Sequence, residues 1–388
     1  MTTTSTVPNV GSQHANPLKG LLAYGQSPWM DYIRRDLLTG GGLQKMIDND
    51  GLRGMTSNPA IFEKAIATSK DYADIIESPD SKKLDAKTIF ERIAIRDVQQ
   101  ACDIFKPVYD ESRTRDGYVS LEVSPMLAHD TQGTLDEARR LWRSVNRPNV
   151  MIKVPATKEG VPAIRQLLEE GLNINITLLF AQSAYEQVAA AFLDALEARA
   201  AKNQDISHIA SVASFFVSRI DTLIDGRIDE LLKTTTDAAK RAKLTAVQGK
   251  IAIANAKLTY RKYQELFGGP RWKALVAKGA QPQRLLWAST STKNPKYRDV
   301  IYVEELIGAD TVDTIPPATF DAFRDHGKLR PSLTENVDEA SKTMAALEEA
   351  GISMVEVTNK LLVDGVKLFA DAFTQLLVAT GKSAGVHA

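Results

Sequence analysis

One lysine stands inside an apolar, β-branched run, Pro148-Asn149-Val150-Met151-Ile152-Lys153-Val154-Pro155-Ala156-Thr157. Such a run reads as a strand buried on both faces. An unpaired ammonium is expensive to bury, so a lysine there gives up its proton or finds a special partner. An unprotonated amine in an enclosed pocket attacks carbonyl carbon, which opens Schiff-base chemistry. Alone, the segment also fits an edge strand with Lys153 in water, or a buried structural ion pair. A lone carboxylate, Glu122, stands in a second apolar run, Val119-Ser120-Leu121-Glu122-Val123, and likewise calls for a partner. Lysine-based cleavage of a carbon–carbon bond needs the amine, a carboxylate near the substrate hydroxyl, and a second acid–base group for dehydration. Lys153, Asp31 and Glu122 fill that count, and Thr177 is placed to hold a water together with Glu122. Arg219, just past a strand at the start of a helix, suits a phosphate by bidentate bonding and helix-dipole attraction, although an ordinary surface arginine is the commoner case.

These residues share a position relative to the expected elements. Candidate strands end near Asp31, Asn58, Glu122, Lys153, Thr177, Ser214, Ser289 and Thr314, and helical patterns such as Gln132–Val145, Gly160–Glu170, Ala181–Ala200 and Pro295–Glu305 lie between them. Eight strand–helix alternations imply a parallel α/β fold, a (β/α)8 TIM barrel. A doubly wound open sheet is the alternative, but no Gly-x-Gly-x-x-Gly follows any strand. In a barrel the strand ends share one face, which gathers Asp31, Asn58, Glu122, Asn175, Thr177, Ser214 and Ser289. Residues 1–20 read as a flexible lead, and 21–388 as one barrel domain. That domain includes a helical insert at 220–280, after the sixth strand, and C-terminal helices at 333–380. In the tail, Met354, Val357, Leu361, Leu368, Phe369 and Phe373 form a core-facing stripe that Gly365 interrupts, which argues against one unbroken helix. The tail is expected to cover the barrel or a partner subunit.

Lys+Arg and Asp+Glu both count 48, so the net charge is zero and no nucleic-acid or anionic-membrane surface is expected. The single cysteine, Cys102, excludes an internal disulfide and a cysteine-based zinc site, and its apolar helical context suits a packed thiol. The five histidines show no metal-ligand spacing. Residues 1–16 lack the basic and apolar regions of a secretory signal, and no apolar run is long enough to span a bilayer, so the expected compartment is the cytosol.

The chain resembles the transaldolase family of class I Schiff-base barrels over roughly residues 26–381. Thr56-Ser57-Asn58-Pro59 is similar to that family's Thr-x-Asn-Pro signature, Met151-Ile152-Lys153-Val154-Pro155-Ala156-Thr157 to its lysine motif, and Asn175-Ile176-Thr177-Leu178-Leu179-Phe180 to its strand-five motif. The resemblance implies transfer of a dihydroxyacetone unit between sugar phosphates in the non-oxidative pentose phosphate pathway, with no metal or organic cofactor. It implies Lys153 as the Schiff-base lysine, Asp31 as the acid–base residue for cleavage, and Glu122 with Thr177 as holders of the catalytic water. Asn58, Asn175, Ser214, Phe216 and Ser289 are implied substrate contacts, and Arg219 the phosphate arginine. After the seventh strand many relatives read Ala-Ser-Phe-Arg, whereas this chain reads Ala288-Ser289-Thr290-Ser291-Thr292-Lys293. Lys293 then replaces the second arginine as a point charge without bidentate geometry. Two rival readings remain: a fructose-6-phosphate aldolase that releases dihydroxyacetone, which Glu122 and Phe216 disfavour through the same resemblance, and a sugar-phosphate-binding barrel without turnover. Either a monomer or a homodimer is compatible with the sequence.

Overall fold

The computed structural model describes residues 16–385. Its eight strands are β1 (Gln26–Asp31), β2 (Gly54–Thr56), β3 (Tyr118–Glu122), β4 (Val150–Pro155), β5 (Ile174–Leu179), β6 (Ser211–Phe216), β7 (Arg284–Ala288) and β8 (Thr311–Ile315). They close into a barrel in chain order, and each neighbouring pair is parallel. This is the expected (β/α)8 architecture, and a closed barrel rules out the open doubly wound sheet. Burial on both faces explains the continuous apolar reading of β4 and β6, every residue of which is buried. At the amino-terminal end Arg284 plugs the barrel, donating to Ser27 Oγ and Asp116 Oδ1, each at 2.8 Å. The carboxyl ends open on the other face.

The insert comprises helices Ser218–Thr234, Ala238–Val247, Ile251–Gly268 and Pro270–Val276. Ile251, Ala252 and Ala256 join the hydrophobic core that contains the barrel strands. Asn255 donates from Nδ2 to the Phe180 carbonyl (2.8 Å), which ties the insert to the end of β5.

Four expectations are corrected. The lead expected over residues 1–20 includes residues that belong to the fold. Residues 1–15 lie outside the described residues, but Pro17–Gly20 form a helical turn, capped by Asn16, with Leu18 fully buried. The Pro295–Glu305 helix shrinks to Ile301–Glu304. Side chains divert the backbone before it: Thr292 Oγ1 donates to the Arg298 and Asp299 carbonyls, and Asn294 Oδ1 accepts from the Lys296 amide. The tail is one unbroken helix, Met354–Ala384. Gly365 is buried within it because a side chain there would meet Leu178 Cδ2 at 3.0 Å. Leu368 is 55% exposed and so lies off the core stripe. The helix packs chiefly on Pro59–Thr68 and crosses the barrel mouth; among the described residues no helix is long and apolar enough to cross a membrane.

Candidate active site

Parallel pairing places the chemistry-bearing residues at one level. Glu122 is in register with Lys153, and Pro155 with Thr177. Asp31, the last residue of β1, is in register with Thr56 of β2. The mouth encloses a cavity of about 550 Å³. Asp31, Asn58, Lys153, Thr177, Ser214, Phe216, Arg219, Ser289 and Lys293 all line it.

Lys153 is buried, and its partners are explicit. Nζ lies 3.5 Å from Glu122 Oε2 and donates to the Ser57 carbonyl at 3.2 Å. It also stands 5.5 Å from the centre of the Phe369 ring. The edge-strand reading, with the amine in water, is therefore excluded. Burial pushes the Glu122 carboxyl up to about 7, against the pull of Lys153 and with a further push from Asp31. Burial also raises Asp31, opposed by Lys153, by a hydrogen bond from Thr56 Oγ1 (2.8 Å) and by Arg219. Thr56 in turn shares a 2.6 Å hydroxyl contact with Thr314, which fixes the Asp31 carboxyl from behind.

Three buried polar atoms lack hydrogen-bond partners among the described residues: Glu122 Oε2, Thr177 Oγ1 and Arg219 Nη1. Arg219 stands over Phe216 (5.1 Å to the ring centre) and near Phe369 (5.9 Å). Burial lowers its pKa, while Asp31 supports its charge. Lys293 donates to Ser291 Oγ at 2.7 Å. Partial desolvation at the solvent-open rim and the neighbouring Arg219 depress its pKa, as expected for two cations facing one pocket. Ser289, directly after β7, holds a left-handed φ of 57°, a strained conformation of the kind that clusters at functional sites.

Two sequence-predicted residues do not line the main cavity. Asn175 is fully buried beneath it, donating to Ser120 Oγ (3.0 Å) and accepting from Ser214 Oγ (2.7 Å). It orients Ser214 in this structure. Glu122 borders an adjoining cavity of about 20 Å³, lined also by Ser57, Asn58 and Phe373, which is room for one water. Asn58 divides its work, since its Oδ1 caps the Pro59–Thr68 helix by accepting from the Ile61 amide (3.1 Å).

Sequence reasoning missed the wall contributed by the C-terminal helix: Leu368, Phe369, Asp371, Ala372 and Gln375. By spacing, Phe369 reads as core. The available signal is Gly365, whose break in an apolar stripe marks a close approach to another element.

A family model described as Transaldolase/Fructose-6-phosphate aldolase matches residues 28–380. A protein named transaldolase from Trichodesmium erythraeum is 50% identical over 355 residues, 91% of this chain and 93% of the relative. A "transaldolase 2" from a Nostoc species is 48% identical over 365 residues, 93% of this chain and 96% of its own length. A transaldolase from Thiobacillus denitrificans is 45% identical over 366 residues, spanning 94% of this chain and all of the relative. With a lysine and carboxylates gathered at the mouth of a closed parallel barrel, and with these relatives matched along nearly their whole length, the chain belongs to the transaldolase family.

Proposed function

We propose that this chain is a Schiff-base transaldolase in which Lys153 carries a dihydroxyacetone unit from sedoheptulose 7-phosphate or fructose 6-phosphate to glyceraldehyde 3-phosphate or erythrose 4-phosphate. That is a transferase reaction of the non-oxidative pentose phosphate pathway, and the proposed compartment is the cytosol. The observation that carries the residue roles is the buried Lys153–Glu122 pair, 3.5 Å apart, beside a cavity also lined by Asp31, Thr177 and Arg219.

Lys153 Nζ attacks the C2 ketone of the donor. Its proton has an acceptor in Glu122, whose raised pKa suits exchange near neutrality. Loss of water from the carbinolamine leaves an iminium. A water shared by the Thr177 hydroxyl and Glu122 is proposed to carry those protons, since Thr177 Oγ1 and Glu122 Oε2 have no hydrogen-bond partner among the described residues. Asp31 then takes the C4 hydroxyl proton, the C3–C4 bond breaks, and the iminium becomes an enamine as the aldose phosphate leaves. The enamine adds to the acceptor aldehyde, Asp31 returns the proton, and hydrolysis frees Lys153. Arg219 and Lys293 hold the phosphate, and Arg219 Nη1 has no hydrogen-bond partner among the described residues to give up first. Asn58 and Ser214 are proposed to meet sugar hydroxyls, with Asn175 acting through Ser214.

Turnover of fructose 6-phosphate, followed as glyceraldehyde 3-phosphate released with and without erythrose 4-phosphate, tests transfer. Turnover is expected to depend on the acceptor. Acceptor-independent release of dihydroxyacetone would instead identify an aldolase.

A further inference from the structure

The insert helices look remote from the chemistry, yet hydrogen bonds join their junctions to the loop that carries Lys293. That loop, residues 289–300, begins at strained Ser289 and is exposed at Lys293. Thr292 gathers it at one end by donating to the Arg298 and Asp299 carbonyls (3.1 and 3.0 Å). At its far side the Tyr297 hydroxyl donates to Asp225 Oδ2 at 2.7 Å. Asp225 belongs to the Ser218–Thr234 helix, whose first turn carries Arg219. Its other oxygen accepts from the Gly249 amide at 3.0 Å, which brings the insert into the same knot.

Gly249 has φ 68°, and a Cβ there would lie 2.5 Å from Tyr297 Cζ. The absent side chain is thus the seat of the tyrosine ring, and a larger residue would expel it. One turn earlier, Asp221 repeats the pattern: Oδ1 accepts from the Ala252 amide (2.8 Å) and Oδ2 from the Tyr302 hydroxyl (2.9 Å). Two carboxylates on the Arg219 helix therefore each bind one insert amide and one tyrosine from the chain that follows Lys293. Their partners are backbone and tyrosine groups remote from the reacting carbons, so chemistry at Lys153 does not require them.

We propose that the Tyr297–Asp225 bond, seated on Gly249, is a positioning device that holds Lys293 opposite Arg219 and thereby sets affinity for the substrate phosphate. This rests on the reading of Arg219 and Lys293 as the phosphate pair. The insert thereby fixes the spacing of two cations that repel each other when no phosphate lies between them. Lysine supplies a point charge without the guanidinium's fork, so its placement must come from the loop.

The test compares Tyr297→Phe, Lys293→Met and the double variant, measuring KM and kcat for fructose 6-phosphate with erythrose 4-phosphate as acceptor. Borohydride capture of unphosphorylated dihydroxyacetone is the phosphate-free control. Tyr297→Phe is expected to raise KM about three- to tenfold, the scale of one positioning hydrogen bond, with kcat and dihydroxyacetone capture unchanged. In the Lys293→Met background the same change is expected to add nothing. Gly249→Ala, checked for folding by circular dichroism, is expected to act like Tyr297→Phe. If Lys293→Met raises KM but Tyr297→Phe does not, or if Tyr297→Phe acts equally in both backgrounds, the positioning role is overturned while the phosphate reading stands. If Lys293→Met leaves KM unchanged, Lys293 is no phosphate ligand and the positioning role falls with it.

Discussion

At Lys153 the cost of burying a cation is met by the Glu122 carboxylate, the Ser57 carbonyl and the face of the Phe369 ring. The iminium proposed to form at the same nitrogen is also positive, so in that mechanism the carboxylate and the ring would keep serving it. The hydrogen bond to the Ser57 carbonyl is the contact that must be exchanged when the nitrogen loses its protons. Glu122 is the titrating partner, lifted to about 7 by burial. The rate of adduct formation is therefore expected to bend near pH 7 in the wild type. In Glu122→Gln the bend should vanish and adduct formation should slow by about 10²–10⁴-fold, the usual worth of a positioned acid–base group. Stopped-flow measurement of adduct formation across pH checks this, and an unchanged bend in the variant assigns the titration to another group.

The element that closes the site is the C-terminal helix, Met354–Ala384. Gly365 allows it to approach Leu178, and Phe369, one turn on, reaches both Lys153 and Arg219. The helix also buries Phe373 edge-on against Phe90 (5.9 Å between ring centres), so docking and site assembly are one packing event. Phe369→Ala is expected to raise KM and slow adduct formation, each by up to about tenfold, because both cations lose an aromatic face worth about 0.5–2 kcal/mol. Phe369→Tyr should keep most activity. Steady-state kinetics beside a melting curve checks the point: a lower Tm with unchanged kinetics would make the helix a scaffold only. That half of the wall was hidden in the sequence for a physical reason. Leu368 and Phe369 read as core by spacing, and only a contact across about 200 residues turns one into a mouth residue and the other into a cation's neighbour.

Across the whole molecule, the barrel and most of the lining of the candidate site were legible because parallel strands bring all their carboxyl ends to one face. A polar residue closing an apolar run thus announced both the strand and the cavity, as at Asp31, Lys153, Thr177 and Ser214. The depth of Glu122 and Asn175 was not legible, since it depends on which neighbours fill the space in front of them. Nor was the irregular loop around Lys293, where local side-chain bonds from Thr292 and Asn294 override helical spacing. The insert's carboxylates shape global behaviour as well. Burial holds Asp221 at about 7, against hydrogen bonds from the Ala252 amide and Tyr302. In the unfolded chain this carboxyl loses its proton at about pH 4. Between about pH 4 and 7 the folded protein therefore binds the extra proton, so this group's contribution to stability is fully present below that window and declines as pH rises through it, by up to about 1.4 kcal/mol per pH unit. Asp221→Asn is expected to flatten this part of the Tm-versus-pH curve in calorimetry, and identical slopes would remove Asp221 as its source.

The most direct test of the central claim is borohydride reduction in the presence of fructose 6-phosphate, followed by peptide mass analysis. A dihydroxyacetone-derived mass gain is expected on the peptide containing Lys153, and none in Lys153→Met, which should keep the wild-type circular dichroism spectrum. An unmodified Lys153 peptide, or an adduct on another lysine, would contradict the account.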